Sequence, residues 1–247
     1  MMKVVLLGDS ITEGIGKQLR NFQPELERLL GADWTVRNLA KTGSTSDCVG
    51  TQMDKIEEER PDFAVLLFGN VDAQIRPSRT GRIFRHLPGR FGAENGCMIL
   101  PRPFYSHKWY LRWIQRMENA VRAFFRKLVY RVDGSEQWIS LDQYRNNLIA
   151  ACEMLRQRGA VPVICSTVCI DEELFPGSDH EYRKYNEEAR RIAVDKKLPF
   201  VDLYDALRSA VGENGWENVF NADHFHPNQK GYEIIAAQIA AALKREL

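Results

Sequence analysis

Three short runs with no polar side chain constrain this chain more than anything else in it: VVLL at 4–7, FAVLLFG at 63–69 and VPVIC at 161–165. A strand with one wet face alternates apolar and polar residues. A strand that is apolar at every position is buried on both faces, as in a parallel sheet covered by helices. With two weaker runs, they predict five strands at 3–8, 34–38, 62–69, 160–166 and 199–202. Between them, apolar spacings of three and four predict helices at 24–30, 47–59, 141–157, 180–196 and 229–245. Strand and helix in rotation imply an α/β fold: a three-layer α/β/α sandwich on a five-stranded parallel sheet, with right-handed crossovers. A chain of 247 residues suits one such domain. In these sheets ligands gather beyond the carboxyl ends of the strands, so the residues after each strand carry the functional question.

One stretch breaks the rotation. About seventy residues separate the third strand from the 141–157 helix, where a crossover needs about a dozen. We read residues 76–138 as an insertion, or cap, on a domain spanning 1–247. Within it, Trp109, Trp113, Met117, Val121, Phe124 and Leu128 predict a long amphipathic helix at 105–131. The insertion holds thirteen Lys or Arg against four Asp or Glu, a formal +9, so the rest of a +1 chain carries −8. Two placements follow. In one the apolar stripe packs on the domain while the arginines face an anionic substrate or membrane surface; in the other the helix packs on the core or on a second subunit, giving a homodimer, with solvated arginines. No nucleic-acid-binding motif accompanies the basic stretch, so nucleic acid is not expected as a partner.

Five cysteines, an odd number in a long chain, argue against a disulfide framework, and none falls in a zinc-binding spacing. The amino-terminal apolar run is too short for a signal peptide, which makes a cytoplasmic location the simplest expectation.

Two motifs carry chemistry. Gly8-Asp9-Ser10-Ile11-Thr12-Glu13-Gly14 follows the first strand, where a serine hydroxyl can stand at the carboxyl edge beside backbone N–H groups. The bland alternative is a helix-capping serine in a tight turn. A phosphate loop is excluded, because Gly16-Lys17 runs into Gln18. Asp223-His224-Phe225-His226-Pro227-Asn228 precedes the last helix, and its spacing lets Asp223 orient His226 toward a serine. Asp223 and His224 are adjacent, a poor spacing for their side chains to meet, and Asp9 reads as a turn stabiliser.

Together these motifs, with Asn38-Leu39-Ala40-Lys41-Thr42-Gly43 after the second strand and Tyr185-Asn186, resemble the SGNH (GDSL-type) hydrolases. The resemblance covers the chain outside the insertion. It implies a flavodoxin-like sheet and an esterase with a Ser10–Asp223–His226 triad and no metal or organic cofactor. It also implies an oxyanion hole made by the Ser10 N–H, the Gly43 N–H and an asparagine amide. That third motif departs from the family's Gly-x-Asn-Asp. Here Gly69-Asn70-Val71-Asp72 puts valine at the usual position and leaves Asn70, one residue early, as the donor. Arg76 lies near enough to this loop to be a candidate contact for an anionic substrate.

The expected function is a serine-dependent carboxyl-ester hydrolase acting on a small-molecule or glycan ester, with a short acyl group such as acetyl on a sugar as one fit. The rivals are an acyltransferase, thioesterase or lysophospholipase with the same triad, and a catalytically weak binding module.

Overall fold

In a computed structural model of the chain, residues 1–16, 20–53, 55–78, 80–86 and 100–246 are described. Their strands are β1 (Met2–Gly8), β2 (Trp34–Asn38), β3 (Phe63–Leu67), β4 (Arg76–Pro77), β5 (Ser135–Glu136), β6 (Val161–Cys165) and β7 (Phe200–Val201). Five of them form one parallel sheet in the order β2-β1-β3-β6-β7. The register sets Val4 beside both Val36 and Phe63, and Val65 beside Val163. Val4, Val5, Leu6 and Leu7 are all buried, as an unbroken apolar run between two helical layers requires.

The strand order explains where the helices lie. The chain moves one way from β1 to β2 and the other way for every later crossover, so right-handed connections send the two sets of helices to opposite faces. Leu141–Gln157, Ser178–Asp195 and Val49–Met53 accordingly pack together, while Gln23–Leu30 packs with Gln229–Arg245, which follows the last strand and also meets Leu203–Asn214. The reversal falls between β1 and β3, and that switch point is where such sheets place a site.

Several elements differ from expectation. The 47–59 helix is a 3-10 turn at Ser46–Cys48 followed by short helices at Val49–Met53 and Ile56–Glu59. Gly50 and Thr51 lower helix propensity there, and Gln52 and Asp72 tie this stretch to the β1 and β3 ends instead. The last strand shrinks to two residues, and the Leu203–Asn214 helix, capped by Asp202, was not expected. β4 and β5 pair antiparallel, Arg76 with Glu136, so the two ends of the 76–138 segment are zipped together. Cys152, Cys165 and Cys169 are buried, and burial pushes all three thiols well above their usual range. Cys97 lies outside the described residues.

Gly231, in the first turn of the last helix, is required by space. A Cβ there would run into the Val219 carbonyl oxygen and approach Pro227 Cβ to 2.8 Å. That carbonyl also accepts the Asn228 N–H at 3.0 Å, so the clash falls on the turn that carries His226. Gly231→Ala is expected to cost about 1–3 kcal/mol, a fall in Tm of roughly 2–12 °C for a chain this size. Thermal unfolding of the purified variant measures it.

Candidate active site

β1 ends at Gly8, and Asp9 caps a single helical turn, Ser10–Glu13, by accepting the Ile11 N–H at 2.9 Å. As the first residue of that turn, Ser10 keeps its N–H outside the helical ladder. Its hydroxyl lies 2.9 Å from His226 Nε2. His226 Nδ1 lies 2.6 Å from Asp223 Oδ2, and Asp223 Oδ1 accepts the backbone N–H groups of Phe225 and His226 at 3.1 and 3.0 Å. A carboxylate on Nδ1 makes that nitrogen the proton donor and leaves Nε2 as the acceptor for the serine hydroxyl. The ring cannot drift. The His226 carbonyl accepts from Asn221 N at 2.8 Å, and Asn228 caps the following helix through Lys230 N and Gly231 N. The serine and the imidazole–carboxylate pair, more than two hundred residues apart in sequence, are one hydrogen-bonded chain.

The β2 loop is fastened to the same turn. Glu13 accepts from the Thr42 N–H at 2.6 Å and from the Thr42 hydroxyl, Asn38 Nδ2 donates to the Thr12 carbonyl at 2.6 Å, and Lys41 N donates to the Gly8 carbonyl at 3.1 Å. Gly43 follows with φ 78°, a conformation that favours glycine. Among the described turn and loop hydrogen bonds, neither the Gly43 nor the Ser10 N–H is a donor. Glu13 had no assigned role in the sequence, yet it is the side chain that fastens the Gly43 loop to the Ser10 turn.

After β3 the backbone turns sharply, with Gly69 at φ 110° and its N–H on Asp72 Oδ2 at 3.1 Å. This turn brings the Asn70 side chain to the end of β1. Asn70 Nδ2 donates to Asp9 Oδ2 at 3.1 Å, and Asn70 Oδ1 accepts the Val168 N–H at 2.9 Å. Asn70 is fully buried. One of its amide hydrogens is thereby committed to Asp9, immediately before the serine.

Burial raises the carboxyl groups of Asp9 and Asp72 to about 6 from an ordinary 3.8, with backbone N–H bonds opposing the rise in each. Between pH 4 and 6 the folded chain therefore holds protons that the unfolded chain releases. Stability from these two groups is fullest below about pH 4, is lost as pH rises through 6, and the loss is of order 3 kcal/mol for each. A carboxyl-carbon NMR titration is expected to show both midpoints near 6, well above those of exposed aspartates.

Arg76 is buried at the base of the 76–138 segment, with its guanidinium 4.4 Å over the Trp138 ring. A second aspartate–histidine pair escaped the sequence altogether. His224 Nδ1 lies 2.6 Å from Asp171 Oδ2, and its ring stacks on Trp216 at 5.3 Å and 9°. Burial opposes ionisation of Asp171, but the hydrogen bond from His224 still holds its carboxyl below the ordinary range. His224 has φ 50°, a conformation unusual for a non-glycine residue, so the loop turns the two neighbouring histidines to different partners. A cavity of about 700 Å³ adjoins this loop between Gly16, Arg112, Arg116 and Asn221, but none of Ser10, Asp223 or His226 lines it. Among the described residues no three His, Cys, Asp or Glu side chains form a group able to hold a metal ion.

The sequence profile of the GDSL-like Lipase/Acylhydrolase family matches residues 6–234. No curated protein matches the chain in sequence. Solved structures share its fold at low identity. A lipase/acylhydrolase from Enterococcus faecalis is 20% identical, with a TM-score of 0.61 over 100% of this chain and 97% of its own. An acetylxylan esterase from Geobacillus stearothermophilus is 14% identical, with a TM-score of 0.64 over 98% and 94%. An alpha/beta hydrolase from the Lake Arreo metagenome is 16% identical, with a TM-score of 0.64 over 98% and 95%.

Proposed function

The chain belongs to the GDSL-like Lipase/Acylhydrolase family and is a hydrolase acting on ester bonds, and within that class we propose that it is a serine esterase whose nucleophile is Ser10 and whose substrate carries a short acyl group on a small-molecule or carbohydrate alcohol. The observation that carries this reading is the continuous relay from Ser10 Oγ through His226 to Asp223, at 2.9 and 2.6 Å.

The steps follow from the geometry. His226 Nε2 takes the hydroxyl proton as Ser10 Oγ attacks the acyl carbon, and Asp223 stabilises the imidazolium that forms. The tetrahedral oxyanion is bound by the Ser10 and Gly43 N–H groups and by the second amide hydrogen of Asn70. His226 then returns its proton to the departing alcohol oxygen. Water, deprotonated by the same imidazole, attacks the acyl-serine, and His226 returns that proton to Ser10 Oγ as the carboxylic acid is released. A short acyl group is supported by the presence of an acetylxylan esterase among the structural neighbours.

Aryl acetate, butyrate and octanoate are the discriminating substrates. The purified chain is expected to hydrolyse the acetate fastest, and a fluorophosphonate is expected to label a peptide containing Ser10. No turnover of any of the three, or labelling of another serine, overturns the assignment. Asn70 has its own test. Asn70→Ala is expected to lower kcat by about a hundredfold with KM little changed, as for an interaction made mainly in the transition state. An unchanged kcat would leave a hole of two backbone donors.

A further inference from the structure

The Trp109–Asp133 helix is mounted with its apolar side outward. At 100° per residue, Trp109, Trp113, Met117, Val121, Phe124 and Leu128 fall within an arc of about 120°, and all six are exposed, Trp109 by 82%, Phe124 by 71% and Trp113 by 64%. The side that holds the helix to the protein is largely polar. Arg126 is buried with its guanidinium on the Leu174 carbonyl, and Tyr130 OH donates to the Ile75 carbonyl at 2.8 Å. Arg122 donates to the Leu100 carbonyl at 3.1 Å and pairs with Glu118, and Asn119 Oδ1 accepts the Arg102 N–H at 3.1 Å. These contacts exclude the expectation that the stripe packs on the core. Among the described residues nothing covers this aromatic face, which from Trp109 to Leu128 is about 30 Å long at 1.5 Å per residue.

We propose that this face is a docking surface for an anionic membrane, on which the helix lies parallel to the plane of the lipid. Charge decides between occupants. Exposed Arg116 and Lys127 lie along one edge of the stripe and Arg131 continues its line just past Leu128, and the 76–138 segment carries +9 while the remainder carries −8. A second copy of the chain laid on the same face would bring two +9 segments together. An anionic surface neutralises the segment and repels the acidic body, which turns this helix toward the lipid. The composition agrees: Trp, Phe, Met and Leu on one side with arginine and lysine at the border form a helix that seats its apolar side at the headgroup level. No helix among the described residues is long and apolar enough to cross a membrane, so the contact is peripheral. The docked helix is tied to the catalytic loop, because Pro103, just before it, accepts the Ala222 N–H at 3.1 Å, next to Asp223.

The test uses the full chain with vesicles of phosphatidylcholine, with or without about a quarter phosphatidylglycerol. Co-sedimentation with the anionic vesicles is expected, with a blue shift of tryptophan emission as Trp109 and Trp113 leave water. Pure phosphatidylcholine is expected to bind at least about tenfold more weakly, and added salt to weaken the anionic binding. The Trp109→Ser, Trp113→Ser, Phe124→Ser triple variant changes only exposed side chains and is expected to lose at least about a hundredfold in partitioning. Ser10→Ala is expected to bind like the wild type, so the result stands apart from the esterase assignment. Absence of binding at low salt, or equal binding to neutral vesicles, overturns the proposal. So does a concentration-dependent dimer that the triple variant dissociates while vesicles bind nothing, because a second copy would then cover the face.

Discussion

Ser10→Ala is expected to lower ester hydrolysis by about four to six orders of magnitude and to leave the thermal unfolding curve unchanged. The two halves of this expectation rest on different contacts. The hydroxyl is 2.9 Å from His226 Nε2, and alanine leaves that base with no nucleophile to activate. The helical turn itself is capped by Asp9, whose carboxylate holds the Ile11 N–H, so the fold does not need the Ser10 side chain. Steady-state hydrolysis of an aryl acetate and a thermal melt on the same preparation check both. Retained activity with an unchanged melt would move the nucleophile elsewhere.

The second large effect separates the two aspartate–histidine pairs. Asp223→Asn keeps the size of the side chain, but its amide no longer favours the tautomer with a proton on Nδ1, and a loss of about ten-thousandfold in kcat is expected. Asp171→Asn makes the same chemical change at His224, whose ring is stacked on Trp216 and whose hydrogen bond goes to Asp171 and not to Ser10. Its loss is expected to stay within about tenfold. Comparable losses in the two variants would place His224 in the reaction as well. Activity of the pair of variants across a pH series, with circular dichroism to exclude unfolding, distinguishes the outcomes.

The sheet was legible because burial on both faces leaves a local mark. VVLL and FAVLLFG contain no position that tolerates water, and the structure uses them as adjacent central strands. The serine and the Asp223-His226 spacing were legible because each lies within one short run of sequence whose side-chain chemistry can be read locally. Asn70 was legible as the candidate even though counting from Gly69 and Asp72 puts valine at the usual position. What its side chain meets was not: the turn closed by Asp72 brings it to Asp9. The same limit hid Asp171, which is 53 residues from His224, and the two-residue ladder of β4 and β5, which has no periodicity to read.

The long helix marks the boundary most clearly. Sequence alone determined that a helix exists near 105–131, that one side of it is aromatic and that its surroundings are basic, because the period of 3.6 residues is a local property of the backbone. It also determined five strands, their order along the chain and the residue types able to form a serine relay. Which side of the helix meets the protein was decided only in the tertiary structure. There Arg126, Tyr130, Arg122 and Asn119 find carbonyl, carboxylate and backbone N–H partners on segments distant in sequence. A periodic pattern states that two sides differ. The contacts that choose between them are made by residues far away along the chain, and no local pattern encodes that choice.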